Sequence, residues 1–212
     1  MYYSNSNFNN PPLQYMQNSM GHVRVLHAVP DAPNVDVYAN GMLLARNLSF
    51  GENTDYMSVP AETYNVSLYA AGTTDSPVLS NTLLINANCI FTIAAVGMLN
   101  SIGFLAISDS NMQMKQGSAM IRFAHLSPNA PAVDITLPNG TILFSNVSFK
   151  EVAPYIAVPA MNYTLQVKVA GTPTVVLTVP NINLSPDHYY TAYAIGLVGK
   201  NPELQAKLLM DY

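Results

Sequence analysis

Charge and cysteine are scarce in this sequence, and each shortage excludes something. Of 212 residues only 9% are charged, eight Lys and Arg against twelve Asp and Glu, where about a quarter is usual. So few scattered bases, outnumbered by acids, make no basic stripe of the kind a phosphate backbone requires, and nucleic acid is excluded as a partner. Cys89 is the only cysteine, so no intrachain disulfide can form and the fold must be held by its core. Long apolar runs are missing too. The most apolar stretch, Cys89 to Leu99, is interrupted by Thr92 and Gly97 and falls short of the roughly twenty residues that a membrane-spanning helix needs. The first residues, MYYSNSNFNNPPLQYMQNSMG, have neither the basic nor the apolar region of a secretory leader. The sequence therefore predicts no membrane insertion and no cleaved signal peptide.

What is abundant is neutral polar surface and apolar core. Half of the residues are hydrophobic, and Asn alone accounts for 22. A formal net charge of −4 gives little repulsion between copies, and near-neutral surfaces associate.

The chain also repeats itself. HVRVLHAVPDAPNVDVYANG from His22 to Gly41 returns as AMIRFAHLSPNAPAVDITLPNG from Ala119 to Gly140. The correspondence continues through Asn47-Leu-Ser-Phe50 and Asn146-Val-Ser-Phe149, Tyr56 and Tyr155, Tyr64 and Tyr163, Phe91-Thr92 and Tyr190-Thr191, and Asp109 and Asp211. Cys89 falls on His188, so its position does not demand sulfur, and a small buried hydrophobe is the expected role. Self-similarity at an offset of about 98 residues predicts tandem domains: an arm over 1–21, one repeat over 22–109, a polar linker over 110–118 and a second repeat over 119–212.

Within each repeat, short runs of Val, Ile, Leu, Tyr and Phe alternate with polar residues between Pro, Gly and Asn clusters. That pattern predicts an all-β fold, two tandem Ig-like antiparallel β-sandwiches. In the first repeat strands are expected near 22–29, 34–39, 42–46, 54–59, 63–71, 78–85, 89–98 and 102–107. Asn40-Gly41 and Asn139-Gly140 are expected to supply the positive φ of tight hairpins. The last segment, 202–212, contains good helix formers, but its repeat counterpart is β-rich. Leu204, Ala206, Leu208 and Met210 alternate with polar positions, so a half-buried strand is expected.

Each repeat opens with Arg-x-x-His-x-x-Pro-x-Ala-Pro-x-Val-Asp: Arg24, His27, Pro30, Pro33 and Asp36, then Arg122, His125, Pro128, Pro131 and Asp134. In this motif the chain resembles a bacterial family of extracellular and surface-associated domains of unknown function, often found in tandem. The resemblance implies an extracellular location, or a cell or spore surface; without a leader, the implied route is assembly inside a compartment later opened by lysis, as in spore coats and appendages. It implies no activity.

Read physically, the motif is a strand, a Pro-braced turn and a second strand, with His27 expected to meet Asp36, and His125 to meet Asp134, across the turn. One His and one Asp per repeat are too few for a zinc site. A catalytic triad would need Ser127, whose counterpart is Val29, so the nucleophile is not part of the repeated unit. Neither metal, cofactor nor catalytic residue is expected. Arg24 and Arg122, each on an apolar strand, are expected to pair with a carboxylate or turn carbonyls.

The arm is uncharged yet holds Tyr2, Tyr3, Phe8, Leu13, Tyr15 and Met16. Such a segment suits strand addition to an exposed sheet edge, and donated to a neighbour it would give head-to-tail growth into a fibre or layer. The expected partner is the protein itself, with other surface proteins or glycans as further candidates. The thirteen tyrosines keep a monomeric adhesion or carbohydrate-binding module as the alternative.

Overall fold

A computed structural model describes residues 20–109 and 115–212. Each repeat contributes eight strands. In the first they are β1 (Met20–His27), β2 (Val35–Ala39), β3 (Met42–Leu48), β4 (Met57–Pro60), β5 (Thr63–Ala70), β6 (Leu79–Leu84), β7 (Ile90–Val96) and β8 (Gly103–Ser108). In the second they are β9 (Ser118–His125), β10 (Val133–Thr136), β11 (Ile142–Val147), β12 (Ile156–Pro159), β13 (Asn162–Val169), β14 (Val175–Asn183), β15 (Tyr189–Ile195) and β16 (Gln205–Met210). All eight strands expected in the first repeat are present. The final segment is strand, not helix.

The strands form four sheets in the orders β4-β1-β7-β8 and β3-β2-β5-β6, then β12-β9-β15-β16 and β11-β10-β13-β14. Val23, Val25 and Ala95 of one sheet pack on Val35, Val37 and Leu68 of the other to make the first core. Ile121, Phe123 and Ala194 pack on Val133, Ile135 and Val167 to make the second. Each repeat is thus a β-sandwich. It is not wholly antiparallel: β1 runs parallel to β7, and β9 to β15. Between β1 and β7 the chain leaves for the opposite sheet, and a crossover of that length lets two strands run the same way.

The two sandwiches share a third core. Leu26, Ala28, Ala94, Val96 and Ile107 of the first repeat pack with Ala124, Leu126, Tyr193 and Ile195 of the second. Strands β1, β7, β9 and β15 are therefore covered on both faces, their odd and even residues facing different cores. The result is four layers, outer, inner, inner, outer, with the polar part of each motif strand between the inner two.

Three local expectations are corrected. The arm ends earlier than 21, because Met20 and Gly21 already pair with Pro60 and Val59. Asn40 and Gly41 both have positive φ (49° and 78°), but in the second repeat only Gly140 does (89°). Pro138 makes that loop one residue longer, and a turn closed by Gly140 N–H on the Leu137 carbonyl replaces the two-residue hairpin. In β16 the alternation is imperfect: Leu208 packs on the second core, Leu209 on the shared one, and Met210 is exposed.

Candidate functional site

The motif residues divide between two places. At the sandwich end, His27 and Asp36 do not meet, nor do His125 and Asp134. His27 Nε2 lies 3.2 Å from the Pro33 carbonyl and His125 Nε2 lies 3.0 Å from that of Pro131. A prolyl carbonyl accepts only, so the imidazole N–H is the donor, and the histidine ties its own turn. In the first repeat the other ring nitrogen, Nδ1, accepts from the Val29 N–H at 3.3 Å, as a neutral ring does. Burial lowers the pKa of both histidines, against the opposing pull of the prolyl carbonyls. Pro30 and Pro128 lie in the same turns.

Asp36 instead accepts the backbone N–H groups of Asn47 (2.7 Å) and Gly72 (2.9 Å), and these hold its pKa below the usual carboxylate range. Asp134 accepts the equivalent backbone N–H groups, those of Asn146 (2.7 Å) and Gly171 (3.0 Å). Asn47 and Asn146 both sit at φ 52°, a left-handed conformation that Asn tolerates well, and each aspartate thereby pins a bend of a neighbouring strand and a loop. Ser127 donates to the Gly196 carbonyl at 2.6 Å, so Ser127, His125 and Asp134 are each bonded elsewhere rather than in a relay.

The arginines lie between the repeats. Arg24 pairs with Asp211 of the other repeat, and Arg122 with Asp109. Arg24 Nε donates to Thr92 Oγ1 at 2.7 Å, and Thr92 donates to Asp109 Oδ2 at 2.6 Å. Arg122 Nε donates to Thr191 Oγ1 at 2.8 Å, and Thr191 donates to Asp211 Oδ2 at 2.6 Å. The six side chains close a ring that crosses between the repeats twice, once at each Arg–Asp pair.

Each guanidinium adds a bond to a strand-end carbonyl, Arg24 to Met210 and Arg122 to Ser108, both 2.7 Å. Each also lies over a tyrosine ring, Arg24 over Tyr56 at 4.6 Å and Arg122 over Tyr155 at 4.4 Å. Those tyrosines in turn donate to Asp109 and Asp211. Two positive and two negative charges cancel, and every ring member is buried.

Burial works against the Arg24 charge, but Tyr193 and Asp211 outweigh it and its pKa is raised. Burial and then the Asp211 carboxylate push Asp109 upward, opposed by the Thr92, Arg122 and Tyr56 donors. Burial raises both Tyr56 and Tyr155, which stay neutral donors. Such a ring orders two surfaces; it presents no group to solvent.

A third feature belongs to the first repeat alone. An apolar cavity of about 280 Å³ opens between edge strands β3 and β4, lined by residues that include Val25, Ala39, Met42, Met57, Pro60 and Leu83. At the equivalent place in the second repeat, among Ile121, Leu143, Val158 and Tyr163, there is no room for a water.

A family model described as "Domain of unknown function (DUF4397)" matches residues 21–136 and 137–212. The chain belongs to this family. No curated protein matches it. Among solved structures, the C-terminal domain of AlgF from P. aeruginosa is 13% identical, covering 45% of this chain and 99% of that one, with a TM-score of 0.34. The Bacillus anthracis TIE protein is 11% identical over 85% of this chain and 34% of that one (TM-score 0.26). A family CBM26 module from Eubacterium rectale Amy13K, solved with maltoheptaose, is 9% identical over 91% and 97% (TM-score 0.29). Likenesses this low carry no functional argument.

For this DUF4397 chain, the motif alone points to only part of the site. Thr92, Thr191, Asp109 and Asp211 complete the ring, and Tyr56 and Tyr155 donate to it, although none lies in the motif. Their signal is that each is polar at a repeat-equivalent position. The arm residues Tyr2, Tyr3, Phe8, Leu13, Tyr15 and Met16 lie outside the described residues. Cys89 is half-buried, and its sulfur packs at the edge of the first core. Among the described residues no group of three His, Cys, Asp or Glu could hold a metal, and no helix is long and apolar enough to cross a membrane.

Proposed function

We propose that the protein is a non-catalytic structural subunit of a bacterial cell or spore surface, building a fibre or layer by adding its N-terminal arm to the sheet edge of the next subunit. The observation that carries this reading is the fusion of the two repeats into one four-layer block through a shared core and a buried ionic ring. The ring's polar residues are used up in that fusion, while among the described residues each of the four sheets ends in two outer strands with one unpaired side. Unpaired strand sides accept added strands, and a charge-poor surface does not keep copies apart. A rigid block with open edges and a strand-length arm is a polymer subunit.

The test is deletion of residues 1–19, which leaves β1 intact. Full-length protein is expected to form polymers by negative-stain electron microscopy, and the truncated protein to sediment as a folded monomer. Polymers in the truncated protein would refute the reading.

One observation favours a carbohydrate-binding module instead. Tyr38 and Tyr69 stand edge to face at 5.4 Å, and Tyr38 joins Arg46, Asn47 and Thr73 around an open polar depression. The second repeat has Thr136 and Lys168 where these tyrosines stand. Stacking faces beside hydrogen-bonding groups suit a sugar, and a glycan array with a Tyr38→Ala control tests it.

A further inference from the structure

We infer that the cavity of the first repeat is the acceptor for the arm of a second copy, with Leu13 and Tyr15 as the inserted side chains. This rests on the assembly reading above and names its acceptor.

The cavity exists because the two repeats fill the same fold differently. Val25 corresponds to Phe123, Ala39 to Leu137 and Ala45 to Phe144. The last equivalence is fixed by register, since Ala45 pairs with Val37 as Phe144 pairs with Ile135. In the second repeat Phe123 and Phe144 stack at 6.4 Å and close the space. In the first, the smaller Val25 and Ala39 line the open space, no Phe pair stands beside it, and Met42 at the edge between β3 and β4 is exposed. A tightly packed interior does not leave such a volume without cost, and an apolar lining gives water few partners. The missing bulk is aromatic and aliphatic, and the arm carries both.

The chain outside the described residues also starts at this place. Met20 pairs with Pro60, and Pro60 lines the cavity. Nineteen residues precede Met20, none of them charged, matching an edge strand β4, Met-Ser-Val-Pro, that is uncharged as well. Pro11 and Pro12 lack the N–H that a ladder needs, so an uninterrupted paired segment reaching toward Met20 would start at Leu13. In an extended Leu13-Gln-Tyr-Met16, Leu13 and Tyr15 point to one face, about 7 Å apart. Gln14 and Met16 point to the other. Two apolar side chains at that spacing enter one groove from one strand, which is how an added strand gains specificity.

Two full-length experiments test this. In the first, Val25→Phe and Ala45→Phe together give the first repeat the side chains of the second. The expected result is an unchanged or raised melting temperature and at least a tenfold fall in polymer at fixed concentration. If the filled variant polymerises like the parent while deletion of 1–19 abolishes polymers, the arm docks elsewhere: the inference falls and the assembly reading stands. If deletion leaves polymers, the assembly reading itself falls.

In the second, made in a Cys89→Ser background, chains carrying Leu13→Cys are mixed with differently tagged chains carrying Met42→Cys and oxidised with diamide. A disulfide joining the two tags is expected. No mixed product, while a third variant carrying both Leu13→Cys and Met42→Cys links within its own chain, would mean that the arm fills its own groove, and would overturn the inference. This second readout also decides the case if the filled variant fails to fold.

Discussion

Arg24→Ala tests the central claim that the ring locks the repeats together. The substitution leaves Asp211 buried and deprived of its guanidinium, Thr92 without the Nε donor, and the Met210 carbonyl without its bond. Removing one partner of a buried ion pair costs about 3–5 kcal/mol, because the remaining charge stays desolvated. For a chain of this length each kcal/mol shifts the melting temperature by roughly 2–4 °C, so the variant is expected to melt about 6–20 °C below the parent. Differential scanning calorimetry reads this directly, and a second feature of the same trace matters as much. Because the repeats share a core, the parent should unfold in one transition, and Arg24→Ala should lower it without dividing the parent's transition into a stable and an unstable half.

The ring's closure makes the prediction sharper. Asp211→Ala in the Arg24→Ala background removes the orphaned carboxylate, so its additional cost should be smaller than in the parent by about 0.5–3 kcal/mol, the range of coupling for residues in one network. Arg122→Ala, which orphans Asp109 in the same way, should match Arg24→Ala. Melting within about 2 °C of the parent, less than 1 kcal/mol, or strict additivity of Arg24→Ala and Asp211→Ala, would refute the reasoning.

His27 and His125 have depressed pKa values in the folded protein, so their contribution is present above the unfolded pKa near 6.5 and is lost as pH falls. Between there and the folded pKa values each should remove about 1.4 kcal/mol per pH unit, and urea melts at pH 7 and pH 5.5 should show His27→Gln to be less acid-sensitive than the parent. Gly196→Ala should destabilise more than Gly171→Ala. Both glycines have positive φ, but a Cβ at 196 would lie 2.2 Å from the Glu203 carbonyl oxygen while one at 171 meets nothing within 4 Å; thermal melts separate about 1–2 kcal/mol of backbone cost at 171 from that cost plus a backbone clash at 196. Residues 20–109 and 115–212 produced as separate chains should recombine into a heterodimer on mixing, as sedimentation would show, because each exposes one half of the shared core.

Much of the fold is legible in the sequence because the repeat supplies an internal check. The segment 202–212 is helical by composition, and its β-rich counterpart around Ile102–Ile107, together with the alternation from Leu204 to Met210, argues for the strand that β16 forms. What periodicity could not give was the contact between repeats. His27 and Asp36 both lie in the motif, which invites a pair, yet His27 bonds to the Pro33 carbonyl of its own turn and Asp36 to backbone N–H groups of Asn47 and Gly72 outside the motif. Arg24 finds its carboxylate 187 positions away, a distance over which spacing carries no information. One indication was present. Ile90 to Val96 and Tyr189 to Ile195 have almost no polar alternation, and a strand apolar on both faces is covered on both; in a chain with two sandwiches, the cover is the other sandwich.

The same comparison explains why the repeats are no longer interchangeable. Thr92 and Thr191, Arg24 and Arg122, and Asp109 and Asp211 are identical pairs, so the ring alone would join two first repeats or two second repeats as well as one of each. The neighbouring position breaks that symmetry: Ala94 in the first repeat corresponds to Tyr193 in the second, both in the shared core, and Arg24 reaches the Tyr193 hydroxyl. Alanine at both positions would leave empty the space that the fully buried Tyr193 fills in the shared core. Specificity built from a misfit in the wrong pairings needs no new attraction in the right one. The first repeat carries the smaller residue on its other face too, at Val25, Ala39 and Ala45. On both faces it is the half that receives a side chain, from Tyr193 within the molecule and, on our proposal, from Leu13 and Tyr15 of the next.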